Sequence, residues 1–323
     1  MTMHRKVFCT LALTAVAALM LAKPVSAQDY PTKNVRVVVG FAPGGATDLI
    51  ARLVSQKLSE RLGHSFVVEN RGGASGAIAS REVSKSAPDG YTLLTMTSSL
   101  AISETASQSK GFSVEDLRPV AIVAISPYAI AVHPTNPAKT LAELVANGKE
   151  KSFTYGSPGV GSGPHIGAEY FFREVAKVKA VHVPYANARA EVALQGGHIE
   201  ALVISLPAVT QAINDNQVRG LAVASEKRNP ATPDLATLGE GGYPNIHLGS
   251  WNGFFVPAKT PDAVVKKLNE EINQIMQSPE VQEKLKALGF DVMIMPLPEA
   301  TAFFKSEVEN WGKMVRAIGF TSK

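Results

Sequence analysis

In the stretch Val35-Arg-Val-Val-Val-Gly-Phe-Ala-Pro-Gly-Gly-Ala-Thr-Asp-Leu-Ile-Ala-Arg-Leu53, three kinds of structure follow one another. Val35 to Val39 are an apolar run broken only by Arg36, which predicts a short buried strand. Phe41-Ala-Pro-Gly-Gly-Ala-Thr-Asp48 interrupts it, and Leu49, Ile50, Leu53, Val54 and Leu58 then recur at helical spacing. The order is strand, glycine-rich turn, helix, with Thr47 or Asp48 placed as the cap. Gly44 and Gly45 allow a sharp turn and put no side chain between the turn's amides and a ligand. Amides at a helix start attract anions, so carboxylate or phosphate is the natural guest. No Gly-Lys-Ser/Thr follows and the spacing is not G-x-G-x-x-G, which sets the turn apart from nucleotide-binding loops. Taken alone, it is also explained as an ordinary strand-to-helix turn whose glycines serve geometry.

The chain opens with Met-Thr-Met-His-Arg-Lys6, runs apolar from Val7 to Ala22, and closes that segment with Lys23-Pro-Val-Ser-Ala27. A basic start, an apolar centre and a small-x-small end make a secretory signal, with cleavage expected after Ala27. The apolar run is shorter than the roughly 20 residues a spanning helix needs. Cys9, the one cysteine, leaves with the signal, so the exported chain holds no disulfide. The formal charge of +4 largely leaves too, because Arg5, Lys6 and Lys23 go from 32 basic residues while all 28 acids stay. No basic stripe remains, which excludes nucleic acid as a partner. The remaining length fits two domains of ordinary size.

Working outward, Phe66–Val68 predict a second strand, Glu69 to Gly76 a second glycine-rich turn, and Ala77–Lys85 a helix. Tyr91–Met96 predict a third strand ending in hydroxyls. Polar, glycine-rich loops after successive strands indicate an α/β sheet with a crevice at the strands' carboxyl ends. Strands at Pro119–Ile125 and Tyr128–Val132, broken at Ser126-Pro127, carry the chain into a second lobe. There the pattern repeats: a helix from Leu141 to Asn147 ended by Gly148, a strand to Tyr155, the turn Gly156 to Gly163, a helix Pro164–Val175, a strand Val181–Pro184 and a helix Asn187–Leu194. A strand Ala201–Ile204, a helix Pro207–Asn214 and a strand Gly220–Ala224 follow. Ser250–Pro257 return the chain, and amphipathic helices after Pro261 and over Pro298–Ile318 clothe the first lobe. Residues 28–126 and 251–323 thus form a discontinuous lobe 1, and 127–250 form lobe 2.

Phe41, Gly44, Gly45, Ala46, Thr47 and Asp48 lead the ligand candidates. Asp48 beside an anion site would repel the guest, so its task is either to pin the loop or to hold an amine. Asn70, Arg71 and Ser75 sit on the second turn beside Glu69, and Ser98 ends the third strand. Arg71 could fork onto a carboxylate or stay a solvated loop arginine. In lobe 2, Ser157, Gly159, Gly161, Ser162 and His165 are small, hydroxyl-rich and placed ahead of a helix. Tyr185 offers a ring and a hydroxyl, and Ser205 either faces the ligand or merely caps the next helix. The histidines show no metal-cluster spacing, and neither G-x-S-x-G nor H-E-x-x-H occurs. No catalytic set, metal or cofactor is expected, and the loops are built to hydrogen-bond a ligand.

Tyr30-Pro-Thr-Lys33, Val38-Val-Gly-Phe-Ala-Pro-Gly-Gly45 with Asp48, Val67 to Gly76, Ala87-Pro-Asp-Gly-Tyr-Thr-Leu-Leu94, His182-Val-Pro-Tyr185, Leu221 to Arg228 and Trp251 to Pro261 together resemble the Bug (TctC) receptors of tripartite tricarboxylate transporters. The resemblance runs from Tyr30 to about Gly319. It implies a two-lobed, flytrap-like periplasmic receptor, each lobe a sheet flanked by helices. It implies a small carboxylate ligand, either a di- or tricarboxylate or an aromatic acid, held by the amides of Phe41 to Asp48. Asn70 to Gly76 and Gly156 to His165 match the other turns. The partners implied are integral membrane transporter subunits, and the receptor is expected as a monomer. Two departures bear on the ligand. Ala186-Asn-Ala-Arg-Ala-Glu191 replaces a family Lys/Arg-Gly and Pro-Ala segment, and Ser205 stands where an aspartate able to hold an amino group is usual. Serine there disfavours an amino acid and suits a second acidic or neutral polar group. A sensor that reports occupancy to a membrane signalling protein is the other reading, and gene neighbours would separate the two.

Overall fold

The computed structural model describes residues 30–107, 109–185 and 189–322. The expected signal and its cleavage point at Ala27 lie outside them, as do Ala186, Asn187 and Ala188 of the departing segment. Strand β1 (Val35–Val39) pairs in parallel with β2 (Phe66–Asn70) on one side and β3 (Thr92–Thr97) on the other. The crossovers are helices α1 (Ala46–Leu62) and α2 (Ala77–Ser84), and α3 (Ser99–Ala106) follows β3. Alternation decides the two faces. Val35, Val37 and Val39 pack with α1, while Val38 points the other way into a separate core with Ala79, Leu94 and Met96.

The largest departure from expectation is at Ser126-Pro127. Two strands were expected there, and a single 16-residue strand, β4 (Leu117–Val132), runs through both lobes. It pairs antiparallel with β9 (Gly249–Pro257) as far as Pro127–Gly249, and beyond that point with β7 (Ala201–Ser205) and β8 (Arg219–Val223). Proline fails in a ladder because it lacks an N–H. Pro127 stands where β4 exchanges one set of partners for the other, and Ser126 keeps its own hold through Oγ donating to Ser250 O at 3.1 Å. The strand order is β2-β1-β3-β9-β4-β7-β5-β6, with β5 (Phe153–Ser157) and β6 (Ala180–Pro184) parallel. The short β10 (Asp291–Val292) joins β4 antiparallel.

Lobe 2 carries α4 (Leu141–Glu150), α5 (Gly163–Glu169), α6 (Arg189–Gln195) and α7 (Leu206–Asn214). Gly148 does not end α4. The helix runs on to Glu150, and a Cβ at Gly148 would lie 2.7 Å from the Phe153 ring, so the glycine is there for packing. The segment expected as one helix to Val175 changes to a wider π-helical turn over Tyr170–Val175. After β9 come α8 (Asp262–Gln277), α9 (Pro279–Ala287) and the 21-residue α10 (Leu297–Ala317). Val264, Val265, Leu268, Ile272 and Ile275 of α8 are buried against the β1 face, as their spacing predicts.

Candidate ligand-binding cleft

Helix α1 begins at Gly45, whose extended backbone (φ −77°, ψ 168°) makes it the N-cap. Neither Thr47 nor Asp48 is the cap; both lie within the first turn, buried. The reason is local: Gly44 takes φ +83°, a left-handed conformation, and so turns the chain before the expected cap is reached. No side chain bonds the helix start. Asp48 works backward instead. Its Oδ2 accepts from the Gly44 amide at 2.9 Å and from Arg52 Nε at 2.9 Å, and its Oδ1 accepts from Asn70 Nδ2 at 2.8 Å. Burial alone would raise this carboxyl, but the bonds from Arg52, the Gly44 amide and Asn70 outweigh it and hold Asp48 charged, below the ordinary carboxylate range. Asn70 Nδ2 also donates to Phe41 O at 3.0 Å, so one amide ties both ends of the turn. Asp48 therefore pins the loop, and Arg52 balances its charge.

The other candidates separate into those at the lobe interface and those drawn elsewhere. Ser75 Oγ donates to Val160 O at 2.7 Å, so the second turn of lobe 1 touches the glycine turn of lobe 2 directly. Ser162 caps α5, its Oγ accepting from the His165 amide and donating to Gly159 O at 2.7 Å. Gly161 takes φ +75° and gives its N–H to His165 Nδ1 at 3.2 Å. Tyr185 donates its amide to Ser157 O at 3.0 Å, closing the β6 end onto the turn. Ser205 is in the N-cap position of α7 but makes no capping bond, so the plain capping role does not hold. Ser98 is fully buried between the lobes, 2.8 Å from Ser250 Oγ and 3.5 Å from Tyr128 Oη. Arg71 lies over Glu69 and Glu82 at 3.6 and 3.8 Å, a network that Arg36 shares.

His182 was read only as one of several scattered histidines. The structure stacks its ring on His165, centroids 3.9 Å apart, and puts its Nε2 2.7 Å from Ser157 Oγ. Burial lowers the pKa of His165 to about 4. Burial, then the neighbouring His165, lowers His182 to about 3, against an opposing pull from Glu169. Two neutral rings thus back the lobe-2 turn. The signal was present in His182-Val-Pro-Tyr185, where position 182 shares a strand face with Pro184 and Tyr185 follows. Among the described residues, no group of three or more His, Cys, Asp or Glu is placed to hold a metal ion.

Two α/β lobes joined by long shared strands, with glycine turns facing one another, define the periplasmic-binding-protein class. A family model described as the tripartite tricarboxylate transporter family receptor matches residues 50–320, and the chain belongs to that family. BugT of Bordetella pertussis is 34% identical over 311 residues, covering 94% of this chain and 95% of its own. The solved R. palustris Rpa4515 with adipate is 30% identical with a TM-score of 0.86, over 91% of this chain and 99% of that one. The periplasmic binding protein BugD is 31% identical with a TM-score of 0.84, over 91% and 100%. The chain is a two-lobed periplasmic solute-binding receptor.

Proposed function

We propose that the cleft captures a small carboxylate, of the di- or tricarboxylate or aromatic-acid kind, and that the loaded receptor passes it to membrane subunits of a tripartite transporter. The observation that carries this reading is the start of α1. The Gly44 amide is spent on Asp48 and the Leu49 amide on Gly45 O, while the amides from Gly45 to Asp48 have no partner within the helix and no side-chain cap. A carboxylate there would take charge-assisted bonds and the positive end of a 17-residue helix. Asp48 does not oppose it, because Arg52 neutralises it.

The facing wall is the turn from Ser157 to His165, where neutral His165 and His182 add no charge of their own. Ser205 and Tyr185 complete the lobe-2 side, and a hydroxyl at position 205 suits the far end of a diacid better than an amine. The adipate held by the related Rpa4515 supports a two-ended acid. In this reading residues 28–126 and 251–323 form one lobe, 127–250 the other, the receptor acts as a monomer, and it performs no chemistry on its ligand.

Mass spectrometry of the ligand carried through native purification, backed by a thermal-shift screen of mono-, di- and tricarboxylates and aromatic acids, tests the proposal. Binding to the native state raises its stability, so the cognate acid raises the melting temperature. A screen in which amines or sugars stabilise the protein and no acid does would overturn it.

A further inference from the structure

A cavity of about 720 Å³ opens at the lobe junction, and no residue of either glycine turn lines it. Its walls come from both lobes and from what joins them. Pro127 of β4 and Trp251 of β9 form its floor, Tyr170 at the start of the π-helical turn and Glu226 after β8 form one side, and α10 forms the other. On α10 Phe303, Glu307, Asn310, Trp311 and Met314 line it as a helical stripe, with Lys313 and Ala317 beside them, while Phe304 and Val315 turn into the core.

The chemistry of these walls differs from that of the cleft. Glu307 Oε2 accepts from Trp311 Nε1 at 3.0 Å. Burial raises the Glu307 carboxyl, opposed by Trp311, Asn310 and Trp251, which favour its charged form. Trp251 is 1% exposed, and its Nε1–H lies near enough to Glu307 to favour the carboxylate but does not reach the distance and angle of a formed hydrogen bond. A carboxyl is therefore set among rings of Trp and Tyr, with donors around it and no ion pair to it among the described residues. Glu226 and Asp291, both exposed, and Lys313 also line the cavity. Three acids against one lysine and His247 disfavour a carboxylate and favour an ammonium.

We propose that this cavity is a second binding site, for a small organic cation with an apolar body, in which Glu307 pairs the ammonium head and Trp251, Trp311 and Tyr170 enclose it. Aromatic faces attract such cations, and a cavity of this size holds a molecule of about ten heavy atoms with room to spare. The walls include both shared strands, so the occupant touches the segments that bend when the lobes move.

Trp251 and Trp311 are the chain's two tryptophans, so intrinsic fluorescence reads this cavity directly. The full exported protein is titrated with phenethylammonium, and with phenethyl alcohol as the uncharged counterpart, by fluorescence and by calorimetry. The ammonium gives a saturable fluorescence change, and the alcohol binds at least about tenfold more weakly. Glu307→Gln keeps an oxygen for Trp311 and weakens the ammonium at least about tenfold, and Glu226→Gln at the rim weakens it a few-fold. Should Glu307→Gln fail to fold, the rim variant and the ammonium-alcohol comparison still decide. No saturable change at millimolar ammonium, equal binding of the alcohol, or unchanged affinity in the folded Glu307→Gln protein each overturns the proposal.

Discussion

Gly45→Val separates a glycine needed for shape from one needed for access. The backbone at Gly45 is extended (φ −77°, ψ 168°), a conformation that valine adopts readily. A Cβ there meets only Ala42 O, at 3.7 Å, an ordinary contact. The fold therefore tolerates the change, with a loss of about 1 kcal/mol at most from a poorer N-cap residue. That lowers the melting temperature by roughly 2–4 °C in a protein this large. The branched side chain stands beside the amides of the α1 start, where a hydrogen bond to a charged group contributes about 1.5–3 kcal/mol. Losing one such bond weakens binding at least about tenfold, or ~1.4 kcal/mol. Gly44→Val is the contrast: its φ of +83° makes any side chain strained, so stability falls first and affinity follows. Calorimetric titration with the best acid of the thermal-shift screen, beside a melting curve, reads both variants. A folded Gly45→Val protein with unchanged affinity would refute the assignment and move the carboxylate to the Ser157–Ser162 turn.

Three further outcomes are expected. Asn70→Ala removes the amide shared by Phe41 O and Asp48 Oδ1, costing about 1–3 kcal/mol in urea unfolding and loosening the cleft turn so that affinity falls with it. His165 and His182 are held neutral at about 4 and about 3, against 6.5 for a free ring, so the unfolded chain binds protons first as pH falls. Their contribution is full above pH 6.5 and is lost as pH drops toward those folded values, on the order of 2 kcal/mol for each ring between pH 7 and 5. Melting curves at the two pH values check it, and a H165F/H182F protein with the same slope would assign the effect elsewhere. N-terminal sequencing of the periplasmic fraction should begin at Gln28, and an intact Met1 would end the signal reading.

Much of lobe 1 is legible because its code is local. Val35 to Val39 announce a strand by composition, and Gly44-Gly45 announce a break by conformational need, with no distant partner required. The cap was misplaced by two to three residues because Thr and Asp are strong caps in general, and only the left-handed Gly44 shows that the chain has already turned. Pro127 misled for the opposite reason. Proline usually ends a strand, and its tolerance depends on where the neighbouring ladders stop, which is a property of β7, β8 and β9. Gly148 looked like a helix end, but the Phe153 ring that needs the space lies in the next strand. His165 and His182 are 17 positions apart and meet because α5, which carries His165, starts just beyond the end of β5, and β5 lies beside β6, which carries His182. Nothing in their spacing encodes a stacked pair.

The continuity of β4 has a mechanical consequence. A receptor whose halves were tied by loose linkers could melt each half separately. Here one core gathers Val38, Leu94 and Met96 with Tyr128, Ile130, Tyr155, Phe171 and Trp251, on either side of the Ser126-Pro127 crossing. The same 16-residue strand is central to both sheets. Unfolding either half strips a ladder from the other, so the molecule melts as one cooperative unit. A fragment cut at the crossing would leave a long unpaired strand edge, a template for aggregation. Opening and shutting are then elastic twists of two spanning ribbons, β4 and β9, rather than swings about a free joint.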